Sequence, residues 1–191
     1  MKKLIIGVVG IMVLITLGCS TTKTVPLTQT PDPPPTNEMA LLWLDRGNAY
    51  VQMGNYEDAV NDFTQAINSD PNYADAYYSR GRVLGSLGKH EQAIGDFTQA
   101  LALNPKNAGV YADRGAAYGY LGLHALAISD FTQAITLNPN FAGAYYNRAV
   151  GYFAEKKCSE ARKDVRRAQD LGYQKIRQGF LDNLKNDCPE N

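Results

Sequence analysis

Apolar and small residues recur along this chain as two helical stripes per unit. In the first unit Trp43, Gly47 and Tyr50 fall at i, i+4 and i+7, and Ala59, Phe63 and Ala66 repeat that spacing, so each set lines one face of a helix. The pattern returns every 34 residues, giving units at 40–73, 74–107, 108–141 and 142–175. Copies of one hexapeptide, DFTQAI at Asp62, DFTQAL at Asp96 and DFTQAI at Asp130, set the register. Between the stripes Gly54, Gly88 and Gly122 mark a turn. Pro71, Pro105 and Pro139 end the second helix, because proline has no N–H for the ladder. The fourth unit departs from the pattern and places Tyr173 in the proline column.

A pair of short helices cannot bury both its faces, so each unit needs a neighbour and the units must stack. An antiparallel register that sets Gly47 against Phe63 also brings Arg46 to Asp62. The same columns pair Arg80 with Asp96, Arg114 with Asp130, and Arg148 with Asp164. Such pairs are expected to be charge-assisted and bidentate. No copy differs from the others as a catalytic carboxylate would, so the hexapeptide is expected to be architecture. Beyond the fourth unit, Ile176, Phe180, Leu181 and Leu184 predict a terminal helix over 174–185 that covers the last unit.

The W…G…Y…A…F…P columns at this period resemble the tetratricopeptide repeat. That resemblance implies an all-α fold: a superhelical solenoid of four helix-turn-helix repeats across 39–173, with a C-terminal cap and tail over 174–191. It also implies a concave groove, lined by the first helix of each unit, that holds a peptide or helix of another protein. Asn48, Tyr78, Arg82, Tyr146, Val150 and Phe153 are the groove candidates, with packing against neighbouring helices as the alternative for Tyr78, Tyr146 and Phe153. Small and aromatic residues suit an apolar or mixed partner segment. The lysine-rich carboxylate clamp of chaperone-binding relatives is absent.

The chain opens with Lys2 and Lys3 and an apolar run from Leu4 to Gly18, 15 residues long. That is short of the ~20 needed to span a bilayer, so 1–18 is read as a secretory signal. Leu17-Gly18-Cys19-Ser20 resembles the lipobox of bacterial lipoproteins, which implies acylation of Cys19; an ordinary cleaved signal and a short uncleaved anchor are the alternatives. Ser20, in place of an aspartate, implies the outer membrane, facing the periplasm. From residue 19 to 38 the chain is rich in Thr and Pro, with little to bury, and is expected to be a tether.

The formal charge is zero, with 19 basic and 19 acidic residues, which argues against a nucleic-acid partner. Residues 40–141 carry 6 basic against 10 acidic residues, and 142–191 carry 10 against 7. With Cys19 assigned to lipid, Cys158 and Cys188 remain, and helices of about 18 Å running antiparallel bring them to one end. A disulfide is expected, with two unpaired thiols as the alternative. His90, His124 and Cys158 share a column at successive turns, but equivalent residues of stacked units sit roughly 8 to 10 Å apart, too far for one zinc ion. Neither a metal, a cofactor nor a small-molecule substrate is expected, and the chain offers no nucleophile with a base. The expectation is a non-catalytic adaptor in the bacterial cell envelope, attached through a lipid anchor and holding another protein. The alternative is a self-assembling structural protein.

Overall fold

The computed structural model describes residues 36–188. Nine helices follow one another among them: α1 (Thr36–Met53), α2 (Tyr56–Ser69), α3 (Ala74–Ser86), α4 (His90–Leu103), α5 (Ala108–Tyr120), α6 (His124–Leu137), α7 (Ala142–Ala154), α8 (Cys158–Asp170) and α9 (Gln178–Asp187). The described residues hold no strand. Successive helices pair within each unit, and α2, α4 and α6 each pack on the first helix of the next unit. This is the all-α helix-turn-helix solenoid, with a terminal helix, that the 34-residue period implies.

Local chemistry accounts for the boundaries. The turn glycines Gly54, Gly88 and Gly122 adopt φ of 78°, 74° and 73°, a left-handed geometry that disfavours a Cβ. Lys156 occupies the same column in the fourth unit, at φ 58°. At the far end of each second helix Asp70, Asn104 and Asn138 accept a backbone N–H two residues on, from Asn72, Lys106 and Asn140. These side-chain turns start at the residue before each proline, which itself has no N–H to continue the helix.

Inside each unit the small column sets how closely the two helices approach. A Cβ on Gly47 would lie 2.5 Å from the Phe63 ring, on Gly81 2.8 Å from Phe97, and on Gly115 3.1 Å from Phe131. In the fourth unit Ala149 stands in the glycine column and Val165 in the phenylalanine column, and both are buried. A larger residue on one helix is thus matched by a smaller one on its partner, which conserves packed volume.

Two sequence expectations shift. The stretch 19–38, expected to be a tether, contributes its last residues to α1, which begins at Thr36. The terminal helix spans Gln178–Asp187 rather than starting at 174, because Arg177 caps it with extended backbone (φ −72°, ψ 126°). Ile176 packs on the last unit from the non-helical segment before it. Phe180, Leu184 and Cys188 are buried with Tyr146, Ala149 and Val165, so α9 covers the final unit as a further repeat would. A disulfide between Cys158, at the start of α8, and Cys188, at the end of α9, ties the cap down. Among the described residues no helix is long and apolar enough to cross a membrane.

Candidate functional site

Each unit repeats one polar cluster. Arg46 donates Nε and Nη2 to the two carboxylate oxygens of Asp62 at 2.5 and 2.7 Å. Arg80 holds Asp96 the same way at 2.8 and 2.8 Å, Arg114 holds Asp130 at 2.7 and 2.9 Å, and Arg148 holds Asp164 at 2.6 and 2.9 Å. All four aspartates are buried. Aromatic residues in the flanking columns stack on the guanidinium: Trp43 lies 4.4 Å from Arg46, and Tyr145 and Tyr152 both lie 5.6 Å from Arg148. The carboxylate bond raises the Arg80 and Arg114 pKa values above their ordinary value, against the pull of burial.

The sequence reading missed a third partner. The remaining Nη1 of Arg80, Arg114 and Arg148 donates to Thr64, Thr98 and Thr132 of the preceding unit at 3.0, 3.1 and 3.1 Å. Each threonine hydroxyl in turn donates to a backbone carbonyl four residues earlier, at 2.7 Å. Within DFTQA the aspartate therefore closes its own unit and the threonine joins it to the next. Arg46 has no earlier unit and its side chain is 53% exposed, against 22% for Arg80. The repeated threonine was the available signal.

Every charge in these clusters is already satisfied, which leaves the groove as the candidate site. Three cavities follow one another along the first helices. One of about 260 Å³, between the first and second units, is lined by Asn48, Val51, Arg82 and Ser86. The next, about 270 Å³, is lined by Arg82, His90, Asp113, Ala116 and Tyr120. The third, about 480 Å³, is lined by Ala116, Tyr120, His124, Tyr146, Val150 and Arg177. Arg82 borders the first two, and Ala116 and Tyr120 border the second and third, so the cavities form a continuous trough.

Asn48, Arg82, Tyr146 and Val150 thus line the trough. Tyr146 is largely spent on packing, since its ring meets Tyr173 at 5.3 Å and Phe180 edge-on at 5.6 Å, leaving it 5% exposed. Phe153 lines none of the three cavities and lies edge-on to Phe180 at 5.5 Å; here the packing alternative applies, because α9 takes the space a partner would need. Tyr78 packs its ring on Phe97 at 6.0 Å and donates its hydroxyl to Asp113 at 2.9 Å. Burial, reinforced by Asp113, pushes the Tyr78 hydroxyl up to about 12. The Asp113 carboxyl is likewise raised by burial, with the Tyr78 bond and Arg82 pulling it back. Arg82 lies 3.8 Å from Asp113 with its side chain 65% exposed, so its cation can turn to a ligand.

Tyr120 escaped the sequence reading. It is 77% exposed and its ring stacks on His90 at 4.6 Å with 2° between planes. The signal was a column holding Gln52, Ser86 and Ala154 elsewhere, with an aromatic only at Tyr120. His124 lines the third cavity, and no group of three or more His, Cys, Asp or Glu among the described residues could hold a metal ion. Cys19 lies outside the described residues.

Family models described as "TPR repeat" and "Tetratricopeptide repeat" match residues 47–88, 74–107 and 108–141. No curated protein matches the chain. Among solved structures, MamA is 27% identical, with a TM-score of 0.69 over 74% of this chain and 82% of its own. YrrB, described as a TPR protein with an unusual peptide-binding site, is 25% identical, with a TM-score of 0.65 over 71% and 70%. The second TPR domain of human RPAP3, solved with the HSP70 peptide SGPTIEEVD, is 29% identical, with a TM-score of 0.59 over 61% and 97%.

Proposed function

The chain belongs to the tetratricopeptide-repeat family, and on that premise we propose that it is a non-catalytic adaptor, held at the bacterial cell envelope, that binds a segment of another protein in its groove. The observation that carries this reading is the unbroken trough from Asn48 to Val150, with Arg82 exposed at one junction and Tyr120 at the other. Small residues widen it in the middle: Ala116 and Gly119 stand where bulkier side chains would fill the third cavity. Exposed aromatic and arginine anchors beside such space are the usual energetic centres of peptide recognition. The peptide-binding site described for YrrB and the HSP70 peptide held by RPAP3 support the same use of this repeat.

Attachment to the envelope through acylated Cys19, with the outer membrane as its place, belongs to the same proposal and is supported by Leu17-Gly18-Cys19-Ser20. Several acyl chains would hold firmly, because each buried CH₂ contributes about 0.8 kcal/mol. Self-assembly end to end is less favoured, because α9 already occupies the face of the last unit.

Photo-crosslinking residues placed at Asn48, Ala116 and Val150 of the full chain in cells test the groove. One protein captured from all three positions supports it. Capture confined to Gln65 and Gln99, which lie exposed on the second helices, overturns it. Cys19→Ala should move the chain out of the membrane fraction, and retention there would favour an uncleaved anchor.

A further inference from the structure

The fourth unit differs from the others on its second helix, away from the groove. Where the first three units carry Val60, Ile94 and Ile128, it has Arg162. The Thr-Gln of the hexapeptide becomes Arg166-Arg167, and the column of Asn61, Gly95 and Ser129 becomes Lys163. Four cations thus appear together on α8 in positions that are neutral everywhere else. They border a cavity of about 900 Å³ that shares no lining residue with the trough. Arg148 and Asp164, also at its wall, neutralise each other, and Asp170 is the remaining acid.

One nitrogen of these cations, the buried Nη2 of Arg162, has no hydrogen-bond partner among the described residues. A buried guanidinium N–H left unmatched is costly. The apolar residues it replaces are packed: a Cβ on Gly151 would lie 2.9 Å from Ile128 Cγ1. Arg162 also borders the adjoining cavity beneath α9, so a turn of this half-buried side chain would bring that N–H to an acceptor in either cavity.

We propose that this cavity docks an extended acidic segment of a partner protein. Arg162 and Arg166 lie one helical turn apart, about 6 Å along the axis, as do Lys163 and Arg167. Carboxylates on alternate residues of an extended chain are spaced by about 6.6 Å, so successive same-side acids meet successive turns of α8. Guanidinium forks suit carboxylate geometry. Ile135 and Tyr145 add an apolar floor, which a peptide side chain uses and a bare polyphosphate does not. A flat bilayer would bring headgroups to the rim but leave that floor empty. The site is independent of the groove and of any partner held there.

The test is fluorescence anisotropy of the full chain with a labelled dodecapeptide that alternates Glu with Ser and carries one Leu. The Glu peptide should bind, the Gln-for-Glu peptide at least tenfold more weakly, and added salt should weaken the binding. Lys163→Glu with Arg167→Glu should reduce affinity at least tenfold, and the milder Lys163→Gln with Arg167→Gln should do so while keeping the parent melting temperature. Arg82→Gln, in the groove, should leave binding unchanged. Equal binding of both peptides, or no response to either charge-changing pair, overturns the proposal. So does binding to vesicles with 30% phosphatidylglycerol that depends on Lys163 and Arg167 when the Glu peptide fails to bind, an outcome that would make the occupant a membrane.

Discussion

Arg80 Nη1 donates to the Thr64 hydroxyl at 3.0 Å, across the boundary between the first and second units, while its other nitrogens hold Asp96. One side chain therefore couples the closure of its own helix pair to docking on the previous one. The arrangement recurs at Arg114 with Thr98 and at Arg148 with Thr132. In a stack where each unit touches only its neighbours, such boundary bonds decide how cooperatively the units unfold.

Thr64→Val keeps the volume and removes only the hydroxyl. Stability should fall by about 1 to 2 kcal/mol, because the hydroxyl both accepts from Arg80 and donates to the Val60 carbonyl. In an Arg80→Lys background the same change should cost less, because the acceptor has lost its fork donor. Chemical denaturation of the four species gives the coupling, and equal losses in both backgrounds would show that Thr64 acts through something else.

Gly81→Ala sets two effects against each other. Replacing a mid-helix glycine gains up to about 1 kcal/mol in propensity, but the new Cβ would lie 2.8 Å from Phe97 and 3.2 Å from the Asp96 Cβ. Overpacking of this kind costs about 1 to 3 kcal/mol, so the variant should be less stable. Adding Phe97→Val should recover part of the loss, because Ala149 with Val165 is that same combination in the fourth unit. A double variant whose loss equals the sum of the single losses would refute the volume match.

Reduction of Cys158–Cys188 should lower the melting temperature. The bridge spans a sequence separation of 30, worth about 3 to 4 kcal/mol in chain entropy. Release should be local at first, since α9 is short and held mainly by Phe180 and Leu184. Dye binding to the freed Tyr146 and Phe153 surface should rise before global unfolding; an unchanged melting temperature and no added dye binding would contradict a bridged cap.

Tyr78 should ionise only near pH 12, raised from 10.0 by burial and by Asp113. With the folded value above the unfolded one, the folded state binds more protons between pH 10 and 12. This contribution is therefore complete below pH 10 and is lost as pH rises through that window. Ultraviolet titration should show a tyrosine ionising near pH 12 that Tyr78→Phe removes. That variant should also flatten the decline of stability above pH 10, and an identical decline in both proteins would argue against the shift.

Much of the architecture was legible because a tandem repeat states its own register. Three copies of DFTQA set the period, and the period places Arg46, Arg80, Arg114 and Arg148 opposite their aspartates. The site was less legible. A groove position is read as open only if nothing covers it, and the covering residues belong to other units: Phe180 lies on Phe153 and Tyr146, and Phe97 backs Tyr78. Tyr120 and the boundary threonines were visible as column features, but their roles depend on which helix stands beside them.

The sequence by itself determined the helix pairs, their turns and stops, and the pairing of charges inside each unit, because these follow from spacing along one chain and from the backbone limits of glycine and proline. Only the tertiary structure decided that Thr64 bridges two units, that the terminal helix spends Tyr146 and Phe153 on packing, and that Nη2 of Arg162 is buried with no partner among the described residues. Those are matters of distance between helices, and distance between stacked units is set by side-chain packing that no single column of the repeat records.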